Sequence, residues 1–335
     1  MKRERVLSAL MHEQTDIIPH NMELSAELKA AVKATYSLSD GDFERLLDNH
    51  IEKVSYNRGS NAGSVYTDEF GISFDRGGVD KDIGIITDYL LKSPSLDGYS
   101  FPKPDLDFVR NETQELLKKK TDTLKLGKIG TALFERAWSL RGFENFFSDL
   151  AEEDDFVFAL LDKITDFNSK IIKTATEYEL DGFYFGDDYG MQSGLLMSPS
   201  MWQKYIKPSL AKLFSAVKER NKFVFLHSCG DISLILDDLV EIGLDVYQTL
   251  QPEVYDLKEI KKRYGKKLSF WGGISTQQAL PFLTPEELSE NIKEISAIMG
   301  ENGGYIAAPT HQIPADVPVE NVYALAEILK NNKIL

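Results

Sequence analysis

The sequence predicts an α/β chain that folds as a (β/α)8 TIM barrel, and three observations lead to this prediction. Short β-rich runs alternate about eight times with longer amphipathic helical patterns. Polar side chains follow nearly every short run, as they do at the carboxyl ends of barrel strands. The 335 residues and the hydrophobic fraction of 42% are sufficient for one large core. We therefore expect a single domain over residues 1–335.

Eight segments are predicted as strands, with helices between them. Residues 199–220 place Trp202, Tyr205 and Ile206 on one helix face. Thr284 followed by Pro285 indicates a helix start, because threonine caps the first turn and proline fits within it. An open doubly wound sheet is the alternative arrangement. The predicted strands are 16–21, 53–56, 128–133, 182–185, 223–227, 246–250, 268–271 and 305–308.

Residues 57–104 have the composition of a long loop, with GSNAGS, DRGG, SPSLDG and FPKPD in close succession. Long structured insertions in a compact fold often act as lids or substrate-binding loops. We expect this segment to cover the mouth of the barrel and to contain a short hairpin in YTDEFGISFDR.

Composition excludes several classes of protein. Acidic residues outnumber basic residues 53 to 38, and the net charge of -15 argues against binding to nucleic acid or anionic membranes. No apolar run approaches the ~20 residues of a membrane span. The one cysteine, Cys229, precludes an intrachain disulfide and fits a reducing compartment. We expect a cytoplasmic protein without a nucleotide-binding glycine motif.

Polar residues at the strand ends are the strongest functional signal. The carboxyl ends of barrel strands surround one mouth, where barrel enzymes have their active sites. We therefore expect one site to be lined by His20, Asn21, Glu23, Glu135, Arg136, Asp187, Asp188, His227, Ser228, Cys229, Gln248, Gln251, Gln277, Gln278, Thr310, His311 and Gln312.

His227 and Cys229 form an H-x-C motif at the end of the fifth predicted strand, where side chains two residues apart point to the same side. A thiolate with an imidazole suits zinc, and catalytic zinc has three protein ligands and one open position. His311, after the last strand, could complete the set. The alternative is a small buried cysteine beside a hydrogen-bonded histidine.

Two other pairs allow two interpretations each. One carboxylate of Asp187 and Asp188 could be an acid–base group, a substrate acceptor or a metal ligand, while the other caps a turn. Gly272 and Gly273 indicate a tight turn after the seventh strand or, less favoured, a close approach of the backbone to a ligand.

Several long stretches resemble the uroporphyrinogen decarboxylase superfamily, and together they span nearly the whole chain. That superfamily folds as a (β/α)8 barrel, in agreement with the eight predicted strands. The stretches are RERVLSALMHEQTDIIP, LFERAWSLRGFENFF, DGFYFGDDYGMQSGLLMSPSMWQKYIKPSLAKLF, FLHSCGD, FWGGISTQQALPFLTPEEL and GGYIAAPTHQIPADVPVENVYAL.

The resemblance implies one of two chemistries. Decarboxylases of the superfamily hold the carboxylates of a porphyrinogen with arginines from an amino-terminal segment. Here that segment reads HNMELSAELKAA, with no arginine and with Glu23 and Glu27. Because these acids repel a polycarboxylate, porphyrinogen decarboxylation is the alternative function.

The other branch comprises methyltransferases that work with corrinoid proteins. Its methylcobalamin:coenzyme M methyltransferases have an H-x-C…C zinc motif, and His227 and Cys229 match the first two positions. His311 stands where the third ligand is expected. Decarboxylases also have a histidine there, so only the pair of His227 and Cys229 distinguishes the branches.

The resemblance therefore implies a Zn2+-dependent methyltransferase or O-demethylase component. It would move a methyl group between a small methylated substrate, such as a methoxylated aromatic, and the cobalt of a corrinoid (cobalamin) on a partner protein, in either direction. Asp187, Asp188 and Glu135 are the candidate catalytic residues, as proton donors or further ligands.

The loops GISTQQ and AAPTHQ are expected to contact the corrinoid, through Gly273, Gln277 and Gln312. The resemblance also implies a homodimer as one state of the chain. A non-catalytic protein that binds a small ligand is the remaining alternative function.

Overall fold

The computed structural model describes residues 1–78, 84–153 and 155–333. The strands of the described residues are β1 Ile51–Ser55, β2 Gly59–Ala62, β3 Val65–Asp68, β4 Ser73–Asp75, β5 Ile85–Ile86, β6 Leu124–Ile129, β7 Gly182–Gly186, β8 Gly190–Met191, β9 Gly194–Leu195, β10 Phe223–His227, β11 Val246–Leu250, β12 Ser269–Ile274 and β13 Tyr305–Pro309. A seven-stranded parallel sheet forms the centre of the protein, in the order β1-β6-β7-β10-β11-β12-β13.

The segment around His20 closes the sheet into a barrel. His20 forms a parallel bridge with Ala307 on β13, and its carbonyl accepts a hydrogen bond from the His50 amide, just before β1. In place of the first predicted strand, 16–21, the structure has the bridge at His20, which occupies the eighth strand position of the barrel. The predicted (β/α)8 fold is confirmed. The single domain stays a prediction.

Helices connect the parallel strands. The helices are α1 Lys2–Leu10, α2 Ala26–Thr35, α3 Asp40–Leu47, α4 Leu106–Lys118, α5 Phe134–Arg141, α6 Phe143–Ala151, α7 Asp155–Ala175, α8 Pro199–Met201, α9 Lys207–Lys218, α10 Leu236–Glu241, α11 Leu257–Tyr264, α12 Ala279–Phe282, α13 Pro285–Met299 and α14 Val319–Lys330, with a π turn at Trp202–Ile206 and a 3-10 turn at Ser233–Ile235. None of the helices in the described ranges combines the length and the apolar character needed to span a membrane.

Two helix predictions can be compared with the structure. The start at Thr284 is confirmed, because Thr284 and Glu287 form a capping box around Pro285. The helix predicted over 199–220 contains the π turn at Trp202–Ile206. Pro208 follows this turn, and it has no N–H to donate to the preceding turn of the helix.

The strand predictions differ from the structure mainly at strand ends. The third strand is Leu124–Ile129 rather than 128–133, because Thr131 adopts a left-handed conformation and the chain then enters α5. The favoured turn at Gly272 and Gly273 is wrong. Both glycines lie within β12, and a Cβ at Gly273 would lie 2.7 Å from the Tyr305 hydroxyl.

The interior of the barrel changes from apolar to polar along the strands. Val6 and Leu10 of α1 pack at one end against Ile51, Leu124 and other apolar inward residues. Because inward positions recur every two residues, Lys53 and Lys128 are the next inward side chains on β1 and β6. The interior of the barrel is therefore filled by apolar side chains at one end and lined by polar groups at the carboxyl ends of the strands.

The insertion folds as a four-stranded antiparallel sheet, β2-β3-β4-β5. The predicted hairpin is confirmed as β3 and β4, and residues 79–83 lie outside the described part. Asp68 forms a buried ion pair with Arg136 of α5, and the Arg136 guanidinium lies 4.2 Å from the Phe70 ring centre. These contacts hold the insertion over the barrel, where Phe74 lines the cavity at its mouth.

Candidate functional site

A cavity of about 390 Å³ opens at the carboxyl ends of the strands. Its size suits a small organic molecule. Polar side chains come from the strand ends, and Phe74 and Trp138 add apolar surface from the insertion and from α5. Its lining residues are Asn21, Glu23, Lys53, Phe74, Lys128, Gly130, Thr131, Glu135, Trp138, Ser139, Tyr184, Gly186, Asp188, His227, Gln248, Trp271, Ala308, Pro309, His311 and Gln312.

Three of the predicted residues meet beside this cavity, and two of them, His227 and His311, line it. One ligand atom from each of His227, Cys229 and His311 lies within 4.8 Å of the other two. Cys229 Sγ is 3.5 Å from His227 Nε2, and the two imidazole ring centres are 5.8 Å apart. We call these three residues the thiol–imidazole cluster. The strand end of β10 supplies two of them and the loop after β13 supplies the third.

Gln248 orients His227 within the cluster. Its side-chain oxygen is hydrogen-bonded to His227 Nδ1 and also accepts the hydroxyl of Tyr184 at 2.7 Å. An amide oxygen only accepts, so Nδ1 carries the proton and the lone pair of Nε2 faces the cluster. Metal-binding histidines commonly have such a partner on the second ring nitrogen.

Asp188 lies beside the cluster. Its Oδ1 accepts the Cys229 amide at 2.8 Å and is 3.4 Å from His227 Nε2. Burial raises the pKa of the Cys229 thiol well above its ordinary value, and the charges of Asp188 and Glu135 raise it further. A bound dication would reverse this balance, because it stabilises a thiolate.

Glu135 faces the same cavity from the first turn of α5. Burial raises its pKa well above the ordinary value, and Asp188 and Asp187 raise it further. This carboxyl group therefore retains its proton to a higher pH than an exposed glutamate.

Asp187 has a different place from its neighbour. Its two oxygens accept the amides of Phe134 and Glu135, each at 2.8 Å, and the hydroxyl of Tyr189 at 2.7 Å. Burial raises the pKa of Asp187 to about 6. Of the two adjacent aspartates, Asp187 is therefore the one that caps the backbone, at the start of α5. Asp187 does not line the cavity.

Two lysines lie on another side of the cavity. Lys53 Nζ is 2.5 Å from Glu23 Oε1 and lies 4.7 Å and 5.1 Å from the ring centres of Tyr184 and Trp271. Lys128 Nζ is 5.7 Å from the Tyr184 ring centre. We call Lys53 and Lys128 the lysine wall. Desolvation in the cavity raises the pKa of Glu23, but the nearby cations, Lys53 foremost, outweigh this effect and the pKa is lowered.

The remaining strand-end residues divide between the cavity and the scaffold. Asn21, Glu23, Gln248 and Gln312 line the cavity. Others serve the fold: Arg136 binds Asp68, Ser228 accepts the Tyr189 amide, Gln251 accepts the Gly230 amide and His20 contacts the Leu47 carbonyl.

The three residues predicted to contact a corrinoid lie in different surroundings. Gln312 lines the cavity and donates to the Leu24 carbonyl, Gln277 is exposed, and Gly273 is buried against Tyr305. The contact of each residue with a corrinoid stays a prediction.

Sequence reasoning missed the lysine wall. The available signal was the two-residue alternation of β6, in which Leu124, Leu126 and Lys128 share the inward face. A lysine in an otherwise apolar inward series indicates a polar cavity at that level of the barrel.

Comparisons with known proteins show the fold and the family of the chain. A methyltransferase from Methanosarcina mazei has the same fold, with a TM-score of 0.74, 19% identity and 98% of both chains covered. The "Methylcobamide:CoM methyltransferase MtaA" of Methanosarcina barkeri is 29% identical over 39% of this chain, and the match spans 36% of that protein.

Two further relatives represent both branches of the resemblance. The "Methylcobamide:CoM methyltransferase MtbA" of Methanosarcina acetivorans is 25% identical over 71% of this chain and 67% of its own length. A uroporphyrinogen decarboxylase of Coxiella burnetii is 23% identical over 55% of this chain and 50% of its own.

The family profile described as "Uroporphyrinogen decarboxylase (URO-D)" matches residues 69–332, which is well over half of the chain. The match includes most of the barrel strands and all three residues of the thiol–imidazole cluster. The chain belongs to the uroporphyrinogen decarboxylase (URO-D) family.

Proposed function

We propose that this protein is a zinc-dependent methyltransferase that moves a methyl group from a small methylated substrate to the cobalt of a corrinoid protein. The observation that carries the proposal is the convergence of His227, Cys229 and His311 within 4.8 Å at the cavity. The Methanosarcina relatives named as methylcobamide:CoM methyltransferases support the same class of reaction.

The chemistry of the donor set suits zinc. Two imidazoles and one thiolate provide three ligands, and the adjoining cavity leaves the fourth position to a substrate. When bound, zinc supplies Lewis acidity that stabilises negative charge on the heteroatom of the substrate. Among the residues described, Gln248 and Tyr184 hold His227 in the orientation that such binding needs.

The methyl transfer balances without a further reagent. The methyl carbon bonds to cobalt(I), which provides the electron pair, while the bond from carbon to oxygen breaks and its electrons remain on oxygen. That oxygen then takes a proton, and the protonated Glu135 at the cavity is our first candidate donor. Asp188 stays the second candidate, as a donor or a further ligand.

The cavity needs an open mouth for the corrinoid partner. The loops that follow β12 and β13 carry Gln277 and Gln312, which are both exposed. We propose these loops as the surface that the partner contacts. Gly273 lies within β12 against Tyr305, and its contact with the corrinoid remains a prediction.

Transfer in the opposite direction is the second candidate function. The names of the two Methanosarcina relatives favour it, since a methylcobamide is their methyl donor. The acceptor would then be a thiol at the same cluster, and the same three ligands would serve. Decarboxylation of a porphyrinogen has less support, because no arginine is among the described residues that line the cavity.

The test measures zinc and methyl transfer in the same preparations. Protein purified without chelator should contain about one zinc per chain, and with a reduced corrinoid protein and a methoxylated aromatic it should form methylcobalamin, seen in the cobalamin absorption spectrum. Cys229→Ala should lose both zinc and transfer.

His12→Gln is the matched control, because His12 lies outside the thiol–imidazole cluster. This variant should retain zinc and activity. Full zinc content in Cys229→Ala would contradict the ligand set, and turnover of uroporphyrinogen by the unaltered protein would favour the decarboxylase.

A further inference from the structure

Within the described residues, the lysine wall contains one cation, Lys128, that has no ion-pair partner. Lys53 is paired with Glu23 at 2.5 Å. Lys128, in contrast, forms neither an ion pair nor a hydrogen bond with another side chain in the described part of the chain, and its one close partner is the Tyr184 ring. Its ammonium group lines the cavity.

The surroundings of Lys128 disfavour a lone positive charge. Burial lowers the pKa of Lys128, Lys53 lowers it further, and Glu23 only partly opposes these effects. Lys128 is half-buried, so its ammonium group loses part of its hydration, and an anion placed against it offsets that loss. The cavity therefore favours a ligand that brings a negative charge to Lys128.

Tyr184 connects this position with the thiol–imidazole cluster. Its ring centre is 5.7 Å from Lys128 Nζ and 6.4 Å from the ring centre of His227. One small molecule that lies over Tyr184 can thus reach both groups. Phe74 and Trp138 add apolar surface to the same cavity, which suits an aromatic ring between the two ends.

From this arrangement we propose that the substrate is a methoxylated aromatic carboxylate, whose carboxylate binds Lys128 while its methoxy oxygen lies at the thiol–imidazole cluster. This inference rests on the proposed function and names its substrate class. Lys128 is then a specificity-determining residue, and Glu23 prevents Lys53 from attracting the same carboxylate.

The test compares matched methyl donors with the zinc-containing protein and a corrinoid protein. The donors are isomers of methoxybenzoate and the corresponding methoxybenzamides, which have the same shape without the charge. A charge-assisted hydrogen bond predicts that the unaltered protein prefers the carboxylates by about 10- to 100-fold in kcat/KM.

Lys128→Met should remove this preference, because it should raise KM for the carboxylates far more than for the amides. Lys128→Arg retains the charge and should preserve most of the preference. Lys125→Met is the matched control, because Lys125 lies on the same strand, pairs with Glu52 outside the barrel and does not line the cavity.

Two results would overturn the inference while the methyltransferase function stands. One is equal turnover of carboxylates and amides by the unaltered protein, and the other is an unchanged preference in Lys128→Met. If no donor is demethylated, the proposed function fails, and calorimetric titration with benzoate and benzamide still decides the inference. Binding of benzoate alone, lost in Lys128→Met, supports it, and equal or absent binding of both compounds overturns it.

Discussion

The thiol–imidazole cluster and the lysine wall occupy the same cavity but balance their charges in opposite ways. At the cluster, the Asp188 carboxylate lies beside the Cys229 thiol and the two imidazoles, so the site favours a cation. At the lysine wall, Glu23 pairs with Lys53, and Lys128 forms no ion pair with any of the residues that the structure describes. The difference indicates a substrate with two unlike ends.

The tyrosine between them serves both regions. The Tyr184 hydroxyl holds Gln248, which orients His227, and the Tyr184 ring faces both lysines. Tyr184 is buried on β7, so its ring has a fixed position between the two regions. Substitutions that leave Tyr184 in place can therefore change one region at a time.

The largest expected effect comes from the third ligand. His311→Ala should lower zinc affinity by about a thousandfold or more, because two ligands remain and the site opens to water. His311→Cys should retain zinc, since a thiolate at this position restores a three-ligand set. Zinc content after dialysis against a competing chelator measures both. If the alanine variant retained as much zinc as the unaltered protein, His311 would not be a zinc ligand.

The fold and the thiol–imidazole cluster could both be predicted from the sequence, for related reasons. The alternation of strands and helices predicted the barrel. The H-x-C spacing predicted that the side chains of His227 and Cys229 point to the same side of the strand end. The position of His311 followed from the rule that all strand ends meet at one mouth.

The remaining features depend on contacts that spacing does not encode. Asp187 and Asp188 are adjacent in sequence, yet only the packing of α5 determines that Asp187 caps this helix and that Asp188 reaches the cavity. The pairing of Glu23 with Lys53 rather than with Lys128 likewise appears only when β1, β6 and the segment after His20 are side by side.

A second prediction concerns two histidines outside the cavity. His20 and His50 pack with ring centres 4.4 Å apart, and burial lowers their pKa values to about 4 and about 3. Unfolded histidine binds protons below about pH 6.5, so both groups stabilise the fold above that pH and the stabilisation is lost as the pH falls towards 4.

Between about pH 7 and pH 5 the free energy of unfolding should therefore fall by about 2 to 4 kcal/mol from this pair. Urea unfolding at each pH measures it. His50→Leu should make the pH dependence shallower, and it should leave zinc content unchanged, in contrast to a change in the cluster. An unchanged slope in this variant would assign the acid sensitivity to other groups.

The third prediction tests the support of the cluster. Gln248→Leu removes the acceptor for His227 Nδ1 and for the Tyr184 hydroxyl. Loss of such a partner should weaken zinc binding by about 10- to 100-fold, without abolishing it. Competition with a chromogenic chelator provides the affinity. Gln251→Leu is the control. Gln251 is also a glutamine at a strand end, but it accepts the Gly230 amide and holds a loop, so the zinc affinity of this variant should not change.

The smallest expected effect has the opposite sign to that of Lys128→Met. Glu23→Gln keeps the size of the side chain but removes the charge that neutralises Lys53, so the lysine wall gains a second free cation. An added charge at this range should strengthen the binding of benzoate by about three- to tenfold, with less change for benzamide. Calorimetry at low salt measures the difference, which should shrink as salt is added. Weaker benzoate binding in Glu23→Gln would mean that the ion pair holds Lys53 in a position that the ligand needs, and the two lysines would then act as one unit rather than as one neutralised and one free cation.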